Sequence, residues 1–148
     1  MIRIDYPQVD FRLRKQDEME QVFDPIRKQW VRLTPEEWVR QNFLQYLVLV
    51  RKFPEKLMAI EREIKLGELK KRFDILVFDQ QQQPWMMVEC KAADVKLDEA
   101  VLQQLLRYHI ALPVKILVIS NGPQTFAWEK KDNTLHLLEN LPDFTFAS

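Results

Sequence analysis

Scarce residue types narrow the class of protein that this sequence can encode. Cysteine occurs once, at Cys90, and glycine twice, at Gly67 and Gly122, among 148 residues. One cysteine excludes a disulfide within the chain and argues against a cysteine-based zinc site. Two isolated glycines do not make a glycine-rich phosphate-binding loop, so we expect neither a nucleotide cofactor nor a motor domain in this chain.

Charge and hydrophobicity are not concentrated in any one segment. The 22 basic and 22 acidic side chains cancel, so the charge balance does not point to a polyanion partner. No apolar run approaches the roughly 20 residues of a membrane-spanning helix, and the N-terminus lacks the apolar segment of a signal peptide. We therefore expect a cytoplasmic protein with no membrane partner. Its 47% of apolar residues suffice for the core of one domain over residues 1–148.

The first third of the chain has patterns typical of a hairpin and a helix. Polar and apolar residues alternate over residues 11–14 and 19–23, which predicts a β-hairpin within an N-terminal extension of residues 1–33. Thr34-Pro35-Glu36-Glu37 predicts a helix start in which Thr34 and Glu37 form a capping box. Helical spacing of apolar residues extends this first helix to about residue 51.

The remaining patterns predict a mixed sheet flanked by helices. Three strands precede a second helix, which Asp98 caps, and Gly67 marks a turn between the first two of them. A nearly continuous apolar run over residues 114–120 predicts a strand buried on both faces. We predict an α/β (α+β) fold with a core of residues 34–128 in the order αβββαβ. The predicted strands are 57–66, 72–78, 85–91 and 114–120, the second helix ends near 112, and residues 129–148 complete a C-terminal hairpin and tail.

Three polar residues interrupt the predicted strands. Asp74 lies inside one strand, and Glu89 and Lys91 lie two apart at the end of the next, so they project from the same face. If these strands form a hairpin, Asp74 and Glu89 meet at one edge of the sheet. Two carboxylates offer the oxygen ligands that Mg²⁺ or Mn²⁺ prefers. A bound ion and a lysine together suit phosphodiester hydrolysis, in which Lys91 holds or deprotonates a water and stabilises negative charge.

Several motifs resemble those of known nucleases. Arg72-Phe73-Asp74 followed by Val88-Glu89-Cys90-Lys91 resembles the D…ExK signature of the PD-(D/E)xK nuclease superfamily. Gln104-Leu105-Leu106-Arg107-Tyr108 resembles the QxxxY motif of its RecB-like branch. Residues 34–41, 88–92 and 120–122 resemble the N-terminal nuclease domain of type I restriction enzyme R subunits. The resemblance covers about residues 23–128 and implies a restriction-endonuclease-like core.

The resemblance also implies roles for these residues. Asp74 and Glu89 would bind Mg²⁺ together with the backbone carbonyl of Cys90, and Lys91 would be the catalytic lysine. Gln104 and Tyr108 would be supporting residues. The implied function is a Mg²⁺-dependent DNA endonuclease, with DNA, other restriction-modification subunits or a second copy of the chain as partners. The alternatives are a catalytically silent module of the same fold that binds nucleic acid or protein, and a purely structural domain.

Several further residues have either a functional or a structural interpretation. Glu37 or Glu61 would add a further metal ligand, although we favour the capping box for Glu37 and solvent exposure for Glu61. The basic residues Lys70, Lys71, Arg72 and Arg107 would contact DNA phosphates, but such residues are usually solvated. His109 and His136 have no acidic partner at metal-ligand spacing, so both are interpreted as structural. We also expect Asp74→Ala or Glu89→Ala to remove metal binding and to leave the fold intact, because uncompensated carboxylates clustered at one edge repel each other.

Overall fold

The computed structural model describes residues 1–66 and 68–144. The predicted turn at Gly67 and the end of the predicted tail, residues 145–148, lie outside these ranges. The chain begins with a small antiparallel sheet of three strands in the order β1-β2-β3. These strands are β1 (Leu13–Gln16), β2 (Met19–Asp24) and β3 (Gln29–Arg32).

The predicted N-terminal hairpin is confirmed, and β3 is an addition to it. Asp17 and Glu18 connect β1 to β2 with φ of 52° and 64°, the left-handed backbone that tight hairpin turns require. β3 has no clear alternation of polar and apolar residues, so the sequence did not predict it. Trp30 of β3 packs on Phe23 of β2 with ring centroids 5.4 Å apart. This packing, rather than local propensity, explains why β3 joins the sheet.

Helix α1 (Pro35–Gln45) begins as the sequence predicts. The Thr34 hydroxyl accepts a hydrogen bond from the backbone N–H of Glu37 at 3.0 Å, and Pro35 occupies the first helical position. The prediction of a full capping box is wrong, however. The Glu37 side chain accepts hydrogen bonds from arginine side chains instead of from the backbone N–H of Thr34. The helix continues as a π-helical turn, Tyr46–Val50, which accounts for the predicted extension to about residue 51.

A six-stranded mixed sheet forms the main body of the described chain. Its strands lie in the order β4-β5-β6-β7-β8-β9, and all neighbours are antiparallel except β6 and β7. Helix α2 (Glu99–His109) connects these two parallel strands, as such a crossover requires. The predicted mixed sheet with two helices is therefore confirmed. The strands are β4 (Met58–Leu66), β5 (Leu69–Phe78), β6 (Pro84–Cys90), β7 (Ile116–Ser120), β8 (Thr125–Lys131) and β9 (Thr134–Leu137).

The two helices cover opposite faces of this sheet. On the α1 side, Phe43 and Leu47 pack with side chains that alternate along the strands, such as Val88 and Val118. On the α2 side, Leu106 packs with the intervening residues, including Met87, Leu117 and Ile119. All residues of β7 are buried, which confirms the predicted strand that is covered on both faces. Within the described residues, no helix combines the length and apolar character needed to cross a bilayer.

One irregular point in the sheet lies where β4, β5 and β6 meet. β4 and β5 pair Ile60 with Ile75 and Arg62 with Phe73, and between these pairs Glu61 has a left-handed φ of 53°. Such a backbone is uncommon for a residue with a side chain. The pairing of β5 with β6 begins at Ile75 and Val88, so Asp74 and Glu89 come directly beyond the last pair. The two strands therefore separate at Asp74 and Glu89.

Candidate active site

Asp74 is fixed between two strands and a helix. Its Oδ2 accepts a hydrogen bond from the backbone N–H of Cys90 at 2.8 Å. Its Oδ1 accepts one from Nη2 of Arg40, on α1, at 2.6 Å. The carboxylate thus satisfies a backbone N–H of β6 at the point where β5 and β6 separate. The expectation that Asp74 is an uncompensated carboxylate is wrong, because the Arg40 guanidinium neutralises it.

Glu89 and Lys91 lie together, as their two-residue spacing predicts. The Lys91 ammonium is 3.6 Å from Oε1 of Glu89, and 33% of the Lys91 side chain is exposed. The other oxygen of Glu89, Oε2, is 2.7 Å from Nε2 of His109 at the end of α2. One carboxylate oxygen is therefore held by the helix, while the other lies near the ammonium.

The pKa values of the two carboxyl groups move in opposite directions. Burial raises the pKa of Asp74 above its ordinary value; Arg40 and the Cys90 N–H counteract part of this rise, and the negative charge of Glu89 adds to it. Burial alone would also raise the pKa of Glu89, but the hydrogen bond with His109 and the charge of Lys91 hold it below the ordinary value. The negative charge of Glu89 thus disfavours the ionised form of Asp74.

Arg40 is the centre of an acidic cluster. It is buried, with only 5% of its surface exposed. Its Nη1 donates to Glu37 at 2.5 Å, and its Nη2 contacts both Glu61 and Asp74. Burial opposes its positive charge, yet these carboxylates raise the pKa of Arg40 well above the ordinary value. Glu37 and Glu61, the two further metal ligands considered from the sequence, therefore converge on the same guanidinium as Asp74.

The ion-pair cluster extends in two directions from Arg40. Towards the N-terminal sheet, Nη2 of Arg27 donates to Glu37 at 3.0 Å, and its Nε donates to the buried Asp24 at 2.6 Å. Towards β5, Nε of Arg72 lies 2.5 Å from Glu61. Arg72, one of the predicted DNA-binding residues, thus has an acidic partner within the chain.

Glu36, next to Glu37, is an acidic residue that was not predicted from the sequence to belong to the site. Burial raises the pKa of Glu36, and the negative charge of Asp74 adds to this rise, while Arg40 and Lys91 counteract it. The charged residues of the candidate site therefore influence the pKa of Glu36. The available signal was its spacing of four residues from Arg40, which places both on one face of α1.

Helix α2 forms a cleft with Glu89. This open cleft has a volume of about 540 Å³ and is lined by Glu89, Gln104, Leu105, Arg107 and Tyr108. Tyr108 is 60% exposed, and the Lys71 ammonium lies 3.0 Å from the centroid of its ring. The structure thus brings Glu89 together with both motif residues of α2 and two of the basic residues singled out from the sequence. Lys70, by contrast, is exposed, and its side chain makes no hydrogen bond or ion pair within the described residues.

His109 is a second residue that sequence reasoning misjudged. Its interpretation as structural depended on having no acidic partner at metal-ligand spacing, but its partner Glu89 lies 20 residues away on a strand. Only the packing of α2 on the sheet brings the two together. His136 is exposed at the sheet edge, on β9. Cys90 is buried in the core, and burial raises the pKa of its thiol well above the ordinary value.

The hydrogen bonds within the described residues do not use every lone pair of the two carboxylates. Each carboxylate oxygen offers two lone-pair sites, and each oxygen of Asp74 accepts one hydrogen bond within the chain. Oε1 of Glu89 has the Lys91 ammonium at 3.6 Å, beyond hydrogen-bonding distance. Among residues 1–66 and 68–144, no group of three or more His, Cys, Asp or Glu could hold a metal ion. The donor set of two carboxylates and a backbone carbonyl fits Mg²⁺ if water completes the coordination, and it stays a prediction.

Comparison with known protein families places most of the chain in one of them. Residues 35–142 match the family model described as "Type I restriction enzyme R protein N terminus (HSDR_N)". This range is more than half of the 148-residue chain and contains Asp74, Glu89 and Lys91, together with both helices. No curated protein matches the chain.

Proposed function

The chain belongs to the family of type I restriction enzyme R protein N termini, and from this premise we propose that it is a Mg²⁺-dependent endonuclease domain that hydrolyses DNA phosphodiester bonds. The observation that carries the proposal is that Asp74 and Glu89 come directly beyond the last residue pair of β5 and β6, with the Lys91 ammonium 3.6 Å from Glu89. The succession of α1, three antiparallel strands, α2 and β7 supports a restriction-endonuclease-like core.

Each site residue has a task in this proposal. Asp74 and Glu89 would hold one divalent ion, Mg²⁺ or Mn²⁺, with the backbone carbonyl of Cys90. When bound, the ion supplies positive charge to a phosphoryl oxygen and lowers the pKa of a water molecule. The partly exposed Lys91 ammonium would orient the attacking water and neutralise the charge that develops on the phosphate. Its neighbour Glu89 keeps that ammonium at the site.

The cleft beside Glu89 supports a path for the DNA backbone. Arg107 lines this cleft, and Lys71 lies on the ring of Tyr108 at its edge. Phosphate contacts from such residues fix the position of a DNA strand without reading its sequence. Because the net charge of the chain is zero, DNA affinity would depend on this local group and on other restriction-modification subunits.

A catalytically silent module that binds nucleic acid or protein is the second candidate. It is favoured by the fact that both oxygens of Asp74 already accept hydrogen bonds, from Arg40 and from the Cys90 N–H. In that case Asp74 would serve only to link β5, β6 and α1.

Cleavage of plasmid DNA in the presence of Mg²⁺ or Mn²⁺ distinguishes the two candidates. We expect wild-type protein to cleave, Lys91→Ala to abolish cleavage, and Lys96→Ala, a change at an exposed lysine five residues later, to leave cleavage unchanged. DNA binding without cleavage by the wild type would favour the silent module. Equal cleavage by wild type and Lys91→Ala would contradict the assignment of the site.

A further inference from the structure

His109 is the residue through which α2 contacts the candidate site. It lies at the end of the helix, is only 4% exposed, and has its Nε2 at 2.7 Å from Oε2 of Glu89. Gln104 and Tyr108 line the same cleft, but within the described residues neither makes a side-chain hydrogen bond to Glu89. The contact of α2 with the Glu89 carboxylate therefore depends on His109 rather than on the two motif residues.

The hydrogen bond has a defined direction. In the part of the chain that the structure describes, Nδ1 of His109 is buried and has no hydrogen-bond partner. An ionised carboxylate can only accept hydrogen bonds, so Nε2–H of His109 donates to Oε2 of Glu89.

This contact restricts a flexible side chain. A glutamate has several rotatable bonds, and ordering them on binding an ion costs conformational entropy. With Oε2 held by His109, Oε1 points to the region of the Lys91 ammonium, 3.6 Å away. Groups that orient metal ligands in this way commonly change metal affinity by a factor of about 10 to 100.

We propose that His109 is a positioning residue for Glu89, which holds one carboxylate oxygen so that the other is presented to a divalent ion and to Lys91. This role rests on the proposed function, since it requires Glu89 to be a metal ligand. A role in packing alone would not explain the choice of histidine. An apolar side chain of similar size would fill the same space without leaving Nδ1 buried and unpaired.

Mn²⁺ affinity, measured by isothermal titration calorimetry on the full chain, tests this role without depending on DNA cleavage. His109→Leu removes the donor and keeps an apolar side chain, whereas His109→Gln keeps an N–H donor at similar reach. We expect His109→Leu to weaken Mn²⁺ binding by about 10- to 100-fold and His109→Gln to restore most of the affinity. The exposed His136 provides a matched control, and His136→Leu should bind Mn²⁺ as the wild type does.

The outcomes separate this role from the proposed function. If the wild type does not bind Mn²⁺, the proposed function and the role of His109 are both overturned. If the wild type binds and His109→Leu binds equally well, only the role of His109 is overturned. Equal loss in His109→Leu and His109→Gln would indicate packing and would also overturn it. His109→Met replaces His109→Leu if that variant does not fold, and failure of both to fold would assign His109 to the core and reject the proposal.

Discussion

Arg40 and Asp74 form a hydrogen-bonded ion pair in which Nη2 of Arg40 donates to Oδ1 of Asp74 at 2.6 Å. The pair joins α1 to β5 across 34 residues of sequence. Both side chains are largely buried, with 6% and 13% exposed. Removing one partner of a buried pair leaves an uncompensated charge, which typically costs about 3–5 kcal/mol. The candidate site therefore contributes to the stability of the fold as well as to its proposed chemistry.

The first prediction concerns Asp74→Ala. This change leaves Arg40 without one of its carboxylates and the Cys90 N–H without an acceptor. We expect the free energy of unfolding, measured by urea denaturation, to fall by about 3 kcal/mol. Asp94→Ala, at an exposed turn position, is the control and should change it by less than about 0.5 kcal/mol. An Asp74→Ala variant as stable as the control would restore the view that this carboxylate is unpaired and repelled by its neighbours.

The second prediction concerns Arg40→Gln. Without the guanidinium, Glu37, Glu61 and Asp74 lose a shared cation. We expect a lower melting temperature in metal-free buffer and a larger stabilisation by Mn²⁺ than in the wild type, because a divalent ion would take over the neutralisation. Binding to the native state at 100 times Kd stabilises by about 2.7 kcal/mol. Thermal unfolding with and without Mn²⁺ measures this difference, and equal shifts in the two proteins would exclude it.

The third prediction is a pH dependence from Asp24. This carboxylate is fully buried and accepts hydrogen bonds from the backbone N–H groups of Ile26 and Arg27 and from the side chains of Arg27 and Gln41. Burial alone would raise its pKa, but these bonds hold the pKa below the ordinary value. The folded state therefore favours the ionised form. The resulting stability is present above a pH of about 3.9, the unfolded value, and is lost as the pH falls through the folded pKa.

Asp24→Asn tests this linkage. At neutral pH the variant places an amide next to Arg27 and Gln41, and we expect a loss of about 2–3 kcal/mol in the free energy of unfolding. The difference from the wild type should narrow as the pH falls below about 4, because Asp24 then binds a proton first in the unfolded chain and, at lower pH, in the folded protein. Chemical denaturation at several pH values measures both proteins. A difference that stays constant down to pH 2 would show that charge does not contribute.

How far the fold could be predicted depends on whether the determining contacts are local. Thr34, Pro35 and Asp98 act at the helix starts. Asp17 and Glu18 act in the hairpin of β1 and β2, and all of these residues act within a few positions of their own place in the chain. Helix starts and hairpins of this kind can be recognised from sequence alone. β3 could not be recognised in this way, because it depends on packing against Phe23.

The candidate site shows the same division. The spacing of Glu89 and Lys91 predicted their contact, since side chains two apart on a strand share a face. Arg40 and His109, in contrast, look like ordinary helix residues in the sequence. Their partners lie 34 and 20 residues away, and only the packing of α1 and α2 on opposite faces of the sheet defines these contacts. Residues that contact the site but lie far from it in the sequence are therefore the ones that could not be predicted.

The fourth prediction concerns the cap of α1. Thr34→Ala removes the hydroxyl that accepts the Glu37 N–H, and we expect a loss of about 1 kcal/mol in the free energy of unfolding. Thr34→Ser keeps the hydroxyl and should remain close to the wild type. Because α1 carries Arg40, the same variants report whether the helix start matters for the ion-pair cluster. Urea denaturation of the three proteins suffices, and equal losses from alanine and serine would rule out capping as the cause.

The last prediction concerns DNA binding through the cleft beside Glu89. Arg107 lines this cleft and Lys71 lies on the Tyr108 ring at its edge. If each neutralises one phosphate, Arg107→Ala and Lys71→Ala should each weaken DNA binding and reduce the slope of log K against log salt by about 0.9. Fluorescence anisotropy with a labelled duplex at several salt concentrations measures affinity and slope together. Lys96→Ala controls for the loss of one positive charge elsewhere. A slope that falls equally in all three variants would mean that net charge, rather than this cleft, determines DNA affinity.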